Sequence, residues 1–161
     1  MKNIEIERKF VIKYPDIALL EASPQTKKIE ITQTYTTDNI RLRKWAEQGK
    51  ITYIKTVKYR ISDISRIEEE NEISKQEYET LLLKADKARN EIVKTRYRYY
   101  YLGKLFEIDV FPFWQKQAFL EIELEREDEP FTLPPFVEVI REVTHDKAYR
   151  NYALTLMIPK E

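Results

Sequence analysis

Charged side chains recur at every second position in several segments of this chain, and within most segments they share one sign. Side chains two residues apart in a β-strand point to the same face, so each set would form one charged strand face. Carboxylates are suited to binding Mg²⁺ or Mn²⁺, whereas Arg and Lys are suited to binding phosphate. The acidic sets are Glu5 and Glu7, Glu107 and Asp109, and Glu121, Glu123 and Glu125; the basic sets are Arg41 and Arg43, and Lys94, Arg96 and Arg98.

The separation of the signs is informative because a solubilising surface usually mixes them within an element. Two faces are mixed: Lys9 follows Glu7 on the first, and Arg66 precedes Glu68 and Glu70 on the other. The remaining faces indicate two sub-sites on one surface, an acidic one and a basic one. A polyphosphate that carries a divalent cation would match both.

Several other kinds of site are excluded by the residues that the chain lacks. It contains no cysteine, which excludes disulfides, thiolate metal sites and cysteine nucleophiles. Its single histidine, His145, cannot supply a multi-histidine zinc site. Gly49 and Gly103 are the two glycines, so neither a glycine-rich phosphate loop nor a dinucleotide-binding loop can form. Phosphate would therefore be held by side chains.

The composition fits one soluble globular domain over residues 1–161. The chain has 28 Lys and Arg against 28 Asp and Glu, with 42% hydrophobic residues. It shows no apolar stretch of membrane-spanning length and no signal peptide, and a cytoplasmic location fits the absence of cysteine. Because the net charge is zero, general attraction to nucleic acid is not expected.

The alternation predicts a mainly β fold of the α+β class. Sequential antiparallel hairpins are expected, with tight turns at Gln48-Gly49 and Leu102-Gly103. About eight such strands can form a closed eight-stranded antiparallel β-barrel, with the charged faces lining a polar tunnel. The predicted strands are residues 4–12, 28–37, 39–46, 51–60, 64–73, 92–101, 104–111 and 117–126.

A few helices would cover the apolar outer faces of this barrel. The helical spacing of Tyr78, Leu81 and Ala85 after the N-cap Ser74 predicts a helix over residues 75–89. Shorter helices are expected at 15–22 and 146–157. Charges inside such a barrel are tolerated when they are paired, hydrated or bound to a ligand.

The charged segments also resemble a known family. Glu5, Glu7 and Lys9 form a Glu-x-Glu-x-Lys motif similar to the signature of the CYTH domain, or triphosphate tunnel metalloenzyme, superfamily. Residues 146–154 resemble the C-terminal helix of that family. Six further segments resemble successive strands of that family, in the same order: Arg41-Leu42-Arg43, Tyr53-Ile54-Lys55, Arg66-Ile67-Glu68-Glu69-Glu70, Lys94-Thr95-Arg96-Tyr97, Phe106-Glu107-Ile108-Asp109 and Leu120-Glu121-Ile122-Glu123.

The resemblance implies a triphosphate tunnel with an acidic metal side and a basic phosphate side. Short bacterial members are typically tripolyphosphatases, so we expect metal-dependent hydrolysis of inorganic tripolyphosphate to pyrophosphate and phosphate, with Mg²⁺ or Mn²⁺ as the cofactor. The partner would be a small-molecule triphosphate, and the chain a monomer or a homodimer. How the ending Leu156 to Glu161 closes one tunnel mouth is not predicted.

Roles follow for individual residues. Glu7, Lys9 and Lys94 are predicted to be catalytic. Lys58 competes with Lys55, since alternation does not choose between them. The metal is assigned to Glu5, Glu7, Asp109, Glu121 and Glu123, with Glu68, Glu70 and Glu107 as second candidates; the triphosphate is assigned to Lys9, Arg41, Arg43, Lys55, Lys94 and Arg96, with Arg98 and Lys147 as possible additions.

Two alternatives remain open at the level of the sequence. The first is another activity of the same family, a class IV adenylyl cyclase or a thiamine or nucleoside triphosphatase, in which Trp45 or Trp114 would stack on the organic group. The second is a non-catalytic binder of polyphosphate or RNA, since basic residues and Tyr alternate between Lys94 and Tyr101.

Overall fold

Strands dominate the structure, a computed structural model that describes residues 2–62 and 64–161. The helices are α1 (Ile17–Ala22), α2 (Lys75–Leu82), a 3-10 helix (Lys147–Tyr149) and α3 (Asn151–Leu154). The strands are β1 (Lys2–Lys13), β2 (Thr26–Tyr35), β3 (Arg41–Glu47), β4 (Lys50–Arg60), β5 (Ser65–Ile73), β6 (Ile92–Tyr101), β7 (Lys104–Val110), β8 (Gln117–Leu124) and β9 (Val139–Glu142).

Strands β1 to β8 form a closed antiparallel barrel in the order β5-β4-β3-β2-β6-β7-β8-β1. The barrel closes at β1, whose first half pairs with β5 and whose second half pairs with β8. Ile6 lies at the change-over, because it is paired with Ser65 on one side and Leu124 on the other. This confirms the predicted fold class and the eight-stranded barrel.

One strand was not predicted. β9 pairs with Phe10 to Ile12 of β1, on the edge that β5 leaves free. It has four residues, all exposed, and therefore lacks the alternating burial that makes a strand visible in a sequence.

The two predicted tight hairpins are confirmed. Gln48-Gly49 and Leu102-Gly103 each join adjacent strands as two-residue loops. All four residues have positive φ angles, between 48° and 79°, as a type I′ turn requires. Glycine is favoured at the second position because L side chains are strained at positive φ.

The apolar outer face of the barrel is covered by more than helices. Leu20 of α1 and residues of the loop 125–138, among them Phe131 and Phe136, pack on the buried cluster that includes Phe106, Leu120 and Ile122. Helix α2 ends at Leu82, not at residue 89, because residues 84–86 leave the helix and pair with the end of β2. The predicted helical covering is thus partly replaced by a loop.

The C-terminal segment closes one end of the barrel. The predicted helix over 146–157 is divided into the 3-10 helix and α3, because Arg150 between them is extended (ψ 143°). Trp114 Nε1 donates to the backbone oxygen of Pro159 at 2.9 Å. Inside this end lies an apolar cluster of Val11, Ile92, Phe111, Trp114, Phe119, Val143, Tyr149 and Leu154.

The helices of the described residues are short, and none of them has the length and hydropathy needed to cross a membrane.

Candidate active site in the barrel interior

The charged strand faces line one interior cavity of about 930 Å³. Ten Lys and Arg side chains and seven Glu side chains contribute to its wall, an excess of positive charge. The basic residues are Lys9, Arg41, Arg43, Lys58, Arg60, Arg66, Lys94, Arg96, Arg98 and Arg150, and the acidic residues are Glu5, Glu7, Glu68, Glu70, Glu107, Glu121 and Glu123.

The strand order gathers these charges into two arcs. The neighbouring strands β7, β8, β1 and β5 carry the carboxylates, whereas β4, β3 and β6 carry most of the cations. Between β3 and β6, strand β2 contributes Tyr35. Lys9 and Arg66 are the cations that lie within the acidic arc. The acidic and basic sub-sites predicted from the sequence therefore face each other across the cavity.

The acidic arc is crowded at β1 and β8, where Glu7 and Glu123 are directly paired in the strand register. Partial loss of hydration and the carboxylates of Glu107, Glu5 and Glu7 raise the pKa of Glu123 to about 7. Burial, followed by the charge of Glu7, likewise raises the pKa of Glu121. This wall therefore holds more negative charge than its own cations neutralise.

Glu5 and Glu7 are also held by neighbouring basic groups. Glu7 accepts a hydrogen bond from Arg66 at 3.1 Å, and Glu5 lies 3.4 Å from the Lys58 ammonium. Burial opposes ionisation of Glu5, but the charge of Lys58, a hydrogen bond with Glu7 and the charge of Arg41 together outweigh it and lower the pKa of Glu5. The lowered pKa favours the ionised form of Glu5, which is the form that binds a cation.

Asp109 differs from the other predicted metal ligands because both of its oxygens are already bound by basic side chains. Its two oxygens accept hydrogen bonds from Arg96 at 2.8 and 2.9 Å, and Lys94 Nζ lies 3.0 Å away. Despite burial, these cations hold the pKa of Asp109 well below its usual range. Asp109 is buried and is not among the residues that line the cavity, whereas Glu107 is.

The basic arc contains donors that protein groups do not satisfy. Arg41 and Arg43 lie 3.4 and 3.2 Å from Glu68 and Glu70, yet the Nε atoms of both arginines are buried without a hydrogen-bond partner among the described residues. The Nε atom of Arg98 also makes no hydrogen bond among these residues, but it is paired with a Glu107 oxygen 3.2 Å away. A buried donor without a partner is costly, so an anion in the cavity would relieve it.

Positive charge accumulates on this side. Burial, Arg41 and Arg96 lower the pKa of Arg43 to about 9. Burial, with Arg96 as a further cause, lowers the pKa of Lys94 to about 8, although Asp109 opposes this. Both pKa values fall mainly because burial removes water from the charged forms, and the neighbouring guanidinium groups add to the effect.

Lys55 is the predicted phosphate ligand that the structure corrects. Its ammonium lies on the outer face of β4, 4.0 Å from Glu77 of helix α2, whereas Lys58 lines the cavity. The register explains the difference, because Arg41 and Arg43 are paired with Thr56 and Ile54. The even positions of β4 therefore point inward. Lys147 is exposed and is likewise not among the residues that line the cavity.

Some cavity residues were missed by the sequence analysis. Tyr35 and Thr56 carry no charge and lie on strands whose inward parity was not assigned. Tyr149, Arg150 and Asn151 belong to the C-terminal segment, which was expected to be a covering helix. The inward parity of β4 could have been found by aligning its alternation with that of β3 across the Gln48-Gly49 turn.

The two tryptophans lie in different places. Trp114 is 2% exposed and belongs to the apolar cluster that closes one end, which removes it as a stacking residue. Trp45 lines the cavity, with the Arg43 guanidinium 5.4 Å from its ring centre.

The segment Lys94–Tyr101 does not form the exposed basic and aromatic surface considered above. Lys94, Arg96 and Arg98 point into the cavity. Tyr97 and Tyr99 are buried in the outer apolar cluster. The observation that favoured RNA binding is therefore lost.

A divalent cation fits this site by the chemistry of its donors. Oxygen ligands on adjacent strands are what Mg²⁺ or Mn²⁺ prefers, and Glu5, Glu7, Glu121 and Glu123 supply them from β1 and β8. Among the residues that the structure describes, no three such side chains are already grouped closely enough to hold a metal ion.

Comparison with known proteins agrees with this geometry. Residues 3–145 match the sequence profile of the CYTH domain. The chain is 38% identical over 160 residues to an inorganic triphosphatase of Nitrosomonas europaea, an alignment that covers 96% of this chain and 99% of the relative.

Solved structures show the same fold. The crystal structure of the inorganic triphosphatase NE1496 is 32% identical, with a TM-score of 0.59 and 97% of each chain covered. A conserved hypothetical protein from Pyrococcus furiosus, at 20% identity, has a TM-score of 0.54 over 77% of this chain and 80% of its own, which shows the fold alone. The profile match and the full-length relative together show that this chain belongs to the CYTH domain family.

Proposed function

We propose that this protein is a triphosphatase that hydrolyses inorganic tripolyphosphate to pyrophosphate and phosphate with the help of Mg²⁺ or Mn²⁺. The observation that carries the proposal is the interior cavity, in which a basic arc faces an acidic arc and the Nε atoms of Arg41 and Arg43 find no hydrogen-bond partner in the described part of the chain. The relative from Nitrosomonas europaea is named as an inorganic triphosphatase, which supports the same substrate.

The basic arc would bind the triphosphate. Arg41 and Arg43 offer planar donors on β3, and Lys58 adds a point charge on β4. Arg96 on β6 is held by Asp109 and Glu107 of the neighbouring strand β7. Lys9 and Lys94 lie near the closed end, 4.0 and 5.9 Å from the rings of Phe119 and Phe111.

The acidic arc would bind the cation through Glu5, Glu7, Glu121 and Glu123. When bound, Mg²⁺ or Mn²⁺ neutralises charge on the phosphate oxygens and activates water. Binding of a cation would also relieve the repulsion that raises the pKa of Glu123.

Hydrolysis then requires water to attack the terminal phosphorus in line with the bridging oxygen. The bond between the terminal phosphorus and the bridging oxygen breaks, pyrophosphate leaves, and orthophosphate is the second product. Glu7 lines the cavity and would accept the proton that the water gives up. Lys9 and Lys94 would stabilise the charge on the transferred phosphoryl group.

Phosphate release from tripolyphosphate, with Mg²⁺, Mn²⁺ or EDTA, tests the proposal. The wild-type protein is expected to be active with a metal and inactive in EDTA. Lys9→Ala and Glu123→Ala should each lose on the order of a hundred- to thousandfold in rate, as removal of a group that stabilises a transition state does. Full activity in either variant, at unchanged thermal stability, would disprove the assignment.

An organic triphosphate is the second candidate, and Trp45 is the observation that favours it. This ring lines the cavity and could stack on a base or a thiazole. ATP, GTP and thiamine triphosphate should therefore be compared with tripolyphosphate, and cyclic AMP should be sought among the products from ATP. Preference for an organic substrate that Trp45→Ala abolishes would support this candidate.

A further inference from the structure

The C-terminal segment supplies acceptors to both lysines at the closed end of the cavity. Lys9 Nζ donates to the backbone oxygen of Tyr149 at 2.8 Å. Lys94 Nζ donates to Oδ1 of Asn151 at 3.3 Å. Asn151 lies beyond residue 145, where the match to the CYTH domain profile ends.

The contacts of Lys94 leave its ammonium little freedom. Its side chain is 1% exposed, and Asp109 Oδ2 accepts from Nζ at 3.0 Å. An ammonium has three N–H donors. With one directed to Asp109 and one to Asn151, the direction of the third is fixed, and Lys94 lines the cavity that would hold the phosphates.

Asn151 is itself held in place by the loop before β6. Arg89 Nη1 donates to the backbone oxygen of Tyr152 at 2.8 Å and to Thr155 Oγ1 at 2.9 Å. The Arg89 guanidinium also lies 3.4 Å from the centre of the Tyr152 ring, and the backbone N–H of Asn90 donates to the backbone oxygen of Thr155. The short helix that begins at Asn151 is thus anchored, through Tyr152 and Thr155, to the segment that leads into the strand of Lys94.

We infer that Asn151 is a positioning residue, which orients the Lys94 ammonium toward the transferred phosphoryl group. The inference rests on the proposed triphosphatase function. An amide oxygen suits this role because it accepts a hydrogen bond from the ammonium without cancelling its positive charge. A carboxylate at this position would orient Lys94 but repel the phosphate.

Two substitutions separate orientation from charge. Asn151→Ala is expected to lower kcat about tenfold with a smaller change in KM, since it removes a hydrogen bond to a charged group. Asn151→Asp keeps an acceptor, so it should retain most of kcat and raise KM instead. Met157→Ala, at a residue that is 77% exposed, is the matched control in the same segment and should leave both constants unchanged.

A double-mutant cycle tests whether Asn151 acts through Lys94. In a Lys94→Ala background, Asn151→Ala should cause no further loss of kcat, because its target is gone. A further tenfold loss in that background, or an unchanged kcat in Asn151→Ala alone, would overturn the inference. Thermal unfolding of each variant checks that the fold is retained.

A measurement without substrate keeps this inference separate from the proposed function. A buried, hydrogen-bonded lysine ammonium exchanges its protons slowly enough to be seen by ¹H–¹⁵N NMR, and Lys94→Ala would assign the signal. Asn151→Ala should broaden or remove it, and a sharp, unshifted signal would contradict the inference. If the wild-type protein instead failed to hydrolyse tripolyphosphate while this result held, the proposed function alone would be at fault.

Discussion

Lys94 and Arg96, which line the cavity, form a buried ion-pair network with Asp109. Two cations share one carboxylate, whose oxygens lie 2.8 to 3.0 Å from their nitrogens. Burying charges costs several kcal/mol for each ion, and an interior with unequal charges is worse still. A multivalent anion would offset part of this cost by pairing with the two cations, both of which line the cavity.

At the scale of single residues, Lys58 and Lys55 form a matched pair on one strand. Lys58→Met should lower kcat/KM for tripolyphosphate by about a hundredfold, since it removes a cation from the cavity. Lys55→Met, on the outer face, should stay within about twofold of the wild type. Equal losses in both variants would show that the inward face of β4 has been misassigned.

The raised pKa of Glu123 predicts a pH dependence of stability. In the unfolded chain this group has its ordinary pKa of 4.5, whereas in the folded protein the pKa is about 7. The folded state therefore binds more protons between these values. The contribution of Glu123 to stability is fully present below pH 4.5 and is lost as the pH rises through 7.

Glu123→Gln tests this dependence in metal-free protein. The variant should be more stable than the wild type at pH 8 and show no such advantage at pH 4.5, as measured by urea unfolding in EDTA. Glu125→Gln, at an exposed residue that does not line the cavity, is the control and should show neither effect. A Glu123→Gln variant that is less stable than the wild type at pH 8 would contradict the pKa argument.

At the scale of elements, the hairpin Leu102-Gly103 allows backbone strain to be measured alone. Gly103 has φ 75°, and a Cβ there would meet nothing within 4 Å. Gly103→Ala should therefore destabilise by about 1 kcal/mol through the backbone conformation. Leu102→Asn, at φ 49°, should instead stabilise the protein, since Asn tolerates this backbone region better than Leu does.

Chemical denaturation of both variants gives the comparison. A stabilising Gly103→Ala would mean that the turn is not of type I′ in solution.

The elements differ in how much the sequence revealed. The eight barrel strands were predictable because each has one charged and one apolar face. β9 was not predictable, because its four residues are all exposed. It is held on β1 in part by the ion pair of Glu142 with Arg8 at 2.6 Å, a contact between distant parts of the sequence. The C-terminal helix was overestimated because Ala148, Tyr152 and Leu156 have helical spacing while Arg150 is extended.

The same limit applies to the site. Parity within a strand identified Glu5, Glu7, Arg41, Arg43 and Lys94 as inward residues, which the cavity confirms in position. It could not identify Asn151, because a neutral residue on a short helix carries no periodic signal. It also could not show that Arg96 and Lys94 already bind the oxygens of Asp109, since that depends on the pairing of β6 with β7.

At the scale of the whole molecule, zero net charge conceals an interior that is positive. The cavity wall carries ten basic and seven acidic side chains, so in the absence of metal it should attract anions. We therefore predict that tripolyphosphate alone, in EDTA, stabilises the protein against unfolding more than Mg²⁺ alone does when each is added at the same concentration. Mg²⁺ alone should have a smaller effect, because Lys58 and Arg66 already neutralise part of the acidic arc.

Thermal unfolding measures these shifts with tripolyphosphate, with Mg²⁺ and with both together. Sulfate at matched ionic strength is the control for a general salt effect, and Arg43→Met should reduce the shift caused by tripolyphosphate. Rising NaCl should reduce it far less than it would for a surface patch, because buried charges are screened weakly. If Mg²⁺ alone produced the larger shift, the acidic arc would be the dominant binding surface, and the charge balance of the cavity would have to be reconsidered.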